Sequence, residues 1–240
     1  MTITPDPLVG TRRSRRRLAS VEAAAIAGVV CAVGWSLSLR GLLSAPGLEA
    51  SDAAIAAWYD DTSNATATLV WLQVLVVATI AFLWFVGVVR GRLGEFEPRL
   101  FGTVYFGSSI LLAALLFVGA AMIAAPSILV VAGDRAPDPS DAAITRAAAV
   151  TLLSVFAPRV ATLVMFSTAS LARATGSLPR WLIWVTYAVG VVEFVNVSVA
   201  TPTIYLVPAW IGLVSVVLLV RHPPRPVDFS LPASGPDDES

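Results

Sequence analysis

Lysine is missing from this chain, and cysteine and histidine occur once each. The lone Cys31 lies inside an apolar run, so no internal disulfide and no thiolate metal site is expected; it reads as a small buried apolar residue. The lone His222 follows the last apolar run, which leaves no imidazole at depth for a haem ligand or a Ser–His pair. Charge is scarce as well: 13% of residues are charged, and the formal net charge is zero. No long-range field therefore recommends nucleic acid as a partner. His-Glu-x-x-His, Walker and Gly-x-Gly-x-x-Gly motifs are all missing. Asp134, the acid of the only Gly-Asp pair, falls in a loop, which does not favour an aspartyl intramembrane protease. No catalytic, cofactor-binding or metal-binding residue is assigned, no cofactor is expected, and the chain is read as non-enzymatic.

What is present is apolar. Hydrophobic residues make up 57% of the 240, with mean hydropathy +0.79, against about 45–50% in soluble domains. The excess lies in long runs: residues 21–44, 65–89, 101–125, 147–172, 181–201 and 204–220. Each is near the roughly 20 residues that a helix needs to cross about 30 Å of hydrocarbon. The expected fold is all-α, a polytopic membrane bundle of six transmembrane helices spanning residues 21–221. Residues 181–220 would form one helix of about 60 Å, twice the bilayer core, so Thr201-Pro202-Thr203 is read as a break between two spans. Pro126 is read as the end of the third span.

Arginine placement gives the orientation. Residues 12–17, 90–99, 173–180 and 221–225 carry arginines at alternate ends of the runs, while Glu49, Asp52, Asp60, Asp61, Asp134, Asp138 and Asp141 crowd the opposite loops against Arg135 and Arg146. Both termini are expected in the cytoplasm, with the chain in the cell inner (plasma) membrane. Residues 1–20 read as a basic cytoplasmic arm suited to an anionic leaflet, and 222–240 as a disordered cytoplasmic tail. The composition, rich in Ala, Gly, Pro and Arg, reads as the product of a GC-rich bacterial genome. Within the largest outer loop, 51–59 reads as a short helix capped by Ser51, with Ile55, Trp58 and Tyr59 at the bilayer surface; a lid over an outward pocket is the other reading. The tryptophans read chiefly as belt anchors, and Gln73 as an interhelical hydrogen bonder.

Two charges lie where charge is expensive. Arg159 is near the middle of the fourth run and Glu193 well inside the fifth; a charge at bilayer centre costs about 2.5–3.5 kcal/mol on insertion scales. Both are about 17 residues from the hairpin centre near Gly176, which gives them equal depth and predicts an ion pair. Pro158 frees the carbonyl of Ser154 beside Arg159, while Thr186, Gly190 and Asn196 share a helical face with Glu193. Arg159, Glu193 and Asn196 thus form the candidate intramembrane polar site, either an interhelical clamp or a working site. Arg40 is expected to snorkel or to meet Asp60 or Asp61, and Ala24, Gly28, Ala32 and Ser36 form a small-residue stripe suited to tight packing.

The turn Gly176-Ser177-Leu178-Pro179-Arg180-Trp181-Leu182, the segment Phe82-Leu83-Trp84-Phe85-Val86-Gly87 and Pro208-Ala209-Trp210 together resemble a widespread bacterial family of six-helix integral membrane proteins of unknown function. The resemblance implies the six-helix layout over most of residues 20–222 and no activity. The expected function is that of a polytopic protein acting through helix or protein partnership, in the lipid bilayer, with a membrane-protein partner or a second copy. The alternative is a small-molecule transporter with its site around Arg159 and Glu193.

Overall fold

The computed structural model describes the backbone of residues 7–93, 99–196 and 201–221. The chain is all-helical, with no strand among the described residues. The elements are α1 (Pro7–Leu42), α2 (Asp52–Asp60), α3 (Thr62–Leu93), α4 (Arg99–Gly133), α5 (Pro139–Thr151), a π-turn (Leu152–Phe156), α6 (Ala157–Thr175), α7 (Arg180–Val195), a 3-10 turn (Thr201–Tyr205) and α8 (Leu206–Arg221). Five stretches are long and apolar enough to cross a membrane: Ala25–Leu42, Thr62–Arg90, Gly102–Gly133, Pro139–Thr175 and Thr203–Val220. Their outward faces carry large apolar side chains such as Val77, Trp84, Leu163 and Val216, the surface a hydrocarbon solvent requires.

Helix α1 is the hub, packing most extensively on α3 and then on α8. From α3 the contacts run on to α4, then α6, then α7, and a weaker α7–α8 contact closes the ring. Small residues decide how near α1 comes to its neighbours. A Cβ on Gly28 would lie 2.0 Å from Ser215 Oγ and 2.9 Å from the ring of Phe85. Ala32 lies under Gly212 one turn on, so the small-residue stripe carries the α1–α8 contact. Two tryptophans are structural rather than belt anchors. Trp35 is buried and donates to Thr79 Oγ1 at 3.0 Å, and Trp210 donates across the α7–α8 seam to Thr186 Oγ1 at 3.0 Å. Trp84, Trp181 and Trp184 are exposed, as an interfacial belt would have them.

Several boundaries differ from expectation. Helix α1 begins at Pro7, inside the segment read as a polar arm. The expected disordered tail, 222–240, and His222 lie outside the described residues. Helix α4 passes through Pro126 to Gly133: proline's φ already suits a helix, so only one backbone hydrogen bond and a ring contact are at stake, and burial of Pro126 offsets them. The fifth run gives only the 16-residue α7, which stops at Asn196 with φ −64° and ψ 114°. Asn196 is a weak helix former, because its side chain can bond nearby backbone and so competes with the helix. Gln73 is exposed on the outward stripe of α3 rather than between helices.

The end of the bundle that carries α2 has a small apolar cluster of its own. Asp138 caps α5, accepting from Ser140 N at 2.8 Å and Ser140 Oγ at 2.6 Å, bonds that hold its carboxyl below the usual carboxylate range. Ser51 caps α2 as expected, accepting from Ala54 N at 3.3 Å. The apolar face of α2 does not lie on the bilayer, however. Ile55 and Tyr59 are buried against Ala142 of α5, with Val130 of α4 beneath them, because a protein face was available that also removes the residues from water.

Candidate functional site

The α6–α7 hairpin places the candidate residues. Gly176 ends α6 in the left-handed region (φ +65°), the conformation glycine adopts without a Cβ penalty. Pro179 then starts α7, its carbonyl accepting from Leu182 N at 3.0 Å. Thr162 Oγ1 donates to the carbonyl of Gly190 at 3.0 Å, and Ser170 Oγ bonds Tyr187 Oη at 3.0 Å. Gly190 makes the approach possible, since a Cβ there would lie 2.6 Å from the ring of Phe166. Thr162 is three residues beyond Arg159 and Gly190 three before Glu193, so the hairpin register puts Arg159 and Glu193 level, as counting from the turn predicts.

Level residues need not face each other, and these two do not. Glu193 is buried, with 0% exposure, and neither carboxylate oxygen has a hydrogen-bond partner among the described residues. Arg159 is half-buried and turns its guanidinium back along its own helix to the carbonyl of Val155. Phe156 and Leu163, one turn either side of it, are exposed at 51% and 47%. The predicted ion pair is therefore not formed. The cause is local: a π-turn precedes Pro158, Ala157 N bonds to Leu152 O, and the extra residue per turn rotates the helix beyond it. It also moves the acceptor for Arg159 from the expected Ser154 to Val155. Asn196 is the residue after α7, half-buried, its backbone N bonded to Val192 O at 2.9 Å.

Glu193 instead faces the middle of the ring. A cavity of about 20 Å³ beside it is lined by Trp35 and Leu39 of α1, Leu112 and Leu116 of α4, Leu153 of the π-turn, and Pro158 of α6, with Ile204, Val207 and Pro208 closing the α8 side. That volume holds about one water. No group of three or more His, Cys, Asp or Glu side chains is placed to hold a metal among the described residues.

A second polar arrangement was not legible in the sequence as a site. Arg146 of α5 donates from Nη1 to Leu42 O at 3.1 Å, and from Nη2 to Leu43 O at 3.1 Å and Ala45 O at 3.3 Å. These are the carbonyls left open where α1 ends, at the negative end of its dipole. Tyr59 stands over this cluster; burial raises its phenol pKa and the nearby Arg146 charge opposes that. Together they line a cavity of about 20 Å³ under α2, so α2 is a lid over a water-sized space. The available signal was an arginine on the acidic side, against the charge rule that organises the other loops. Arg40, in the last turn of α1, is exposed and pairs with neither Asp60 nor Asp61.

No known family, characterised protein or solved structure matches the chain.

Proposed function

We propose that this is a non-enzymatic, multi-pass protein of the inner (plasma) membrane that works in complex with another membrane protein, whose transmembrane helix carries a carboxylate to Arg159. The observation behind this reading is the place of Arg159. It lies 20 residues from one end of Pro139–Thr175 and 16 from the other, between exposed Phe156 and Leu163. A guanidinium has five N–H donors, and the carbonyl of Val155 occupies one amino group. At the middle of about 30 Å of hydrocarbon it is roughly 15 Å from either interface, further than an arginine side chain reaches by snorkelling. Leaving it in lipid costs about 2.5–3.5 kcal/mol, and a partner acid offsets that. A second copy of this chain is the poorer candidate, because Glu193, the only acid at that depth among the described residues, faces inward.

The reading keeps six crossings with both termini cytoplasmic. Helix α7 enters from the Arg180 side and α8 returns to Arg221, so the pair forms a hairpin whose ends share one side, even though α7, about 24 Å long, is short for the bilayer. The transporter reading draws on the unpartnered Glu193. It is weakened by a cavity that holds one water and does not extend to Arg159.

The test is photo-cross-linking in native membranes from position 163, with position 118 on α4 as the control face. The expected result is an adduct to a membrane protein whose cross-linked helix contains Asp or Glu, lost in Arg159→Leu and kept in Arg159→Lys. Adducts to lipid alone, or a protein adduct indifferent to Arg159→Leu, would overturn the proposal.

A further inference from the structure

Glu193 has no role in the partnership just described, yet it is the most anomalous side chain in the bundle. It is fully buried, both its oxygens are unpartnered among the described residues, and every other side chain around its cavity is apolar apart from one indole. That indole N–H is spent on Thr79; of the hydroxyls on α7, that of Thr186 is engaged with Leu182 O and Trp210 and that of Tyr187 with Ser170. The charged group level with it on the packed elements is Arg159, which faces the other way; among the described residues α1, α4, the π-turn and α8 present none to the cavity. Glu193 also sits in the last turn of α7, where open carbonyls make the helix end negative. Desolvation and the helix end thus both oppose a carboxylate here, and among the described residues no donor or cation bonds its oxygens.

We propose that Glu193 is an intramembrane proton-binding site, its carboxyl group carrying one exchangeable proton in the closed bundle. The chemistry selects the ligand. Calcium asks for six to eight oxygens and magnesium for about six, whereas among the described residues the side chains lining this cavity offer only the two oxygens of one carboxyl, and it admits about one water. A proton needs a single oxygen. The route is the α7–α8 seam, the weakest contact of the ring, held by the Trp210–Thr186 bond and bordered by the 3-10 turn that supplies Ile204 to the cavity wall. When the seam parts, water reaches the acid, the O–H bond breaks, and the proton leaves to that water; closing the seam requires a proton to return. Broken helices and irregular backbone are tolerated at membrane depth where they line such a space.

The full-length protein in lipid nanodiscs at neutral pH is the material for the test. Infrared spectroscopy should show the carbonyl stretch of a neutral carboxylic acid, shifted by deuterium oxide and absent from Glu193→Gln. If that variant does not fold, uniform 13C-glutamate labelling of the wild type should shift the same band. Dicyclohexylcarbodiimide, an apolar reagent that adds the acid's O–H across its C=N bond, should modify the Glu193 peptide at least tenfold more than any other acidic peptide. Its yield should fall as pH rises and be indifferent to sodium. Absence of the band, a band that 13C-glutamate does not shift, or protection by sodium would each overturn the proposal.

Discussion

Arg146 is the residue whose contribution is easiest to isolate. It supplies three bonds to the carbonyls of Leu42, Leu43 and Ala45 from a half-buried position. Charge-assisted hydrogen bonds contribute about 1.5–3 kcal/mol each and do not add. Arg146→Leu should therefore lower stability by about 2–4 kcal/mol, measured by thermal or denaturant unfolding in detergent. Arg146→Lys should fall between, because one ammonium cannot span three carbonyls as a planar fork does. Exposed Arg135 is the matched control, and Arg135→Leu should change little. Equal losses at 135 and 146 would show that the α1 end is not capped in this way. At this scale the sequence was informative about cost and depth but not about direction. The expense of Glu193 and Arg159, and their common level, came from counting along two antiparallel helices. Their facing did not, because a π-turn between Leu152 and Phe156 has no periodic signature and rotates the helix beyond it.

Between helices, separation is set by what glycine omits. Gly28 admits Ser215 and Phe85 where any Cβ would collide, whereas Gly107 has nothing within 4 Å. Alanine should thus have opposite effects at the two sites. At Gly107 it improves helix propensity by up to about 1 kcal/mol. At Gly28 overpacking, typically about 1–3 kcal/mol, should outweigh that gain, and Gly28→Leu should separate α8 from α1. Unfolding midpoints of Gly28→Ala and Gly107→Ala give the comparison; destabilisation of the same size at both would refute the close approach. The stripe was visible as spacings of four, and the helices as apolar runs. Their ends were less visible. Pro126 failed to stop α4, whose buried face held the helix together, while α7 ends at Val195, with Asn196 as its cap, inside a run whose apolarity gives no stop signal. Ser51 and Asp138 fixed the starts of α2 and α5 through short-range bonds that a sequence displays directly.

For the whole molecule, the helices are longer than a bilayer needs. Helix α4 has 35 residues and the α5–π–α6 path 37, about 52 and 55 Å at 1.5 Å per residue against about 30 Å of hydrocarbon. The surplus at one end is where α2, the end of α4 and the start of α5 cluster around Ile55, Tyr59 and Ala142. That end also collects Asp52, Asp60, Asp61, Asp134, Asp138 and Asp141, whereas Arg90, Arg173 and Arg180 lie at the other. The orientation proposed above, with the arginine-rich end inward, rests on this division, because arginines near span ends resist translocation. The short α7 is the weak point of this layout, since a chain whose α7 did not cross would leave through α8 and place its end outside. A reporter active only in the cytoplasm should give signal when fused after Ser240 or Arg92 and be silent when inserted near Gly47 or Ala136. Single cysteines in a Cys31→Ser background, probed with an impermeant thiol reagent on intact cells, give the complementary readout: labelled at position 47 or 136, protected at 177. A silent fusion at Ser240, in protein that is labelled at 47, would mean that α7 and α8 do not form a hairpin with both ends on one side, and the six-crossing arrangement would be wrong.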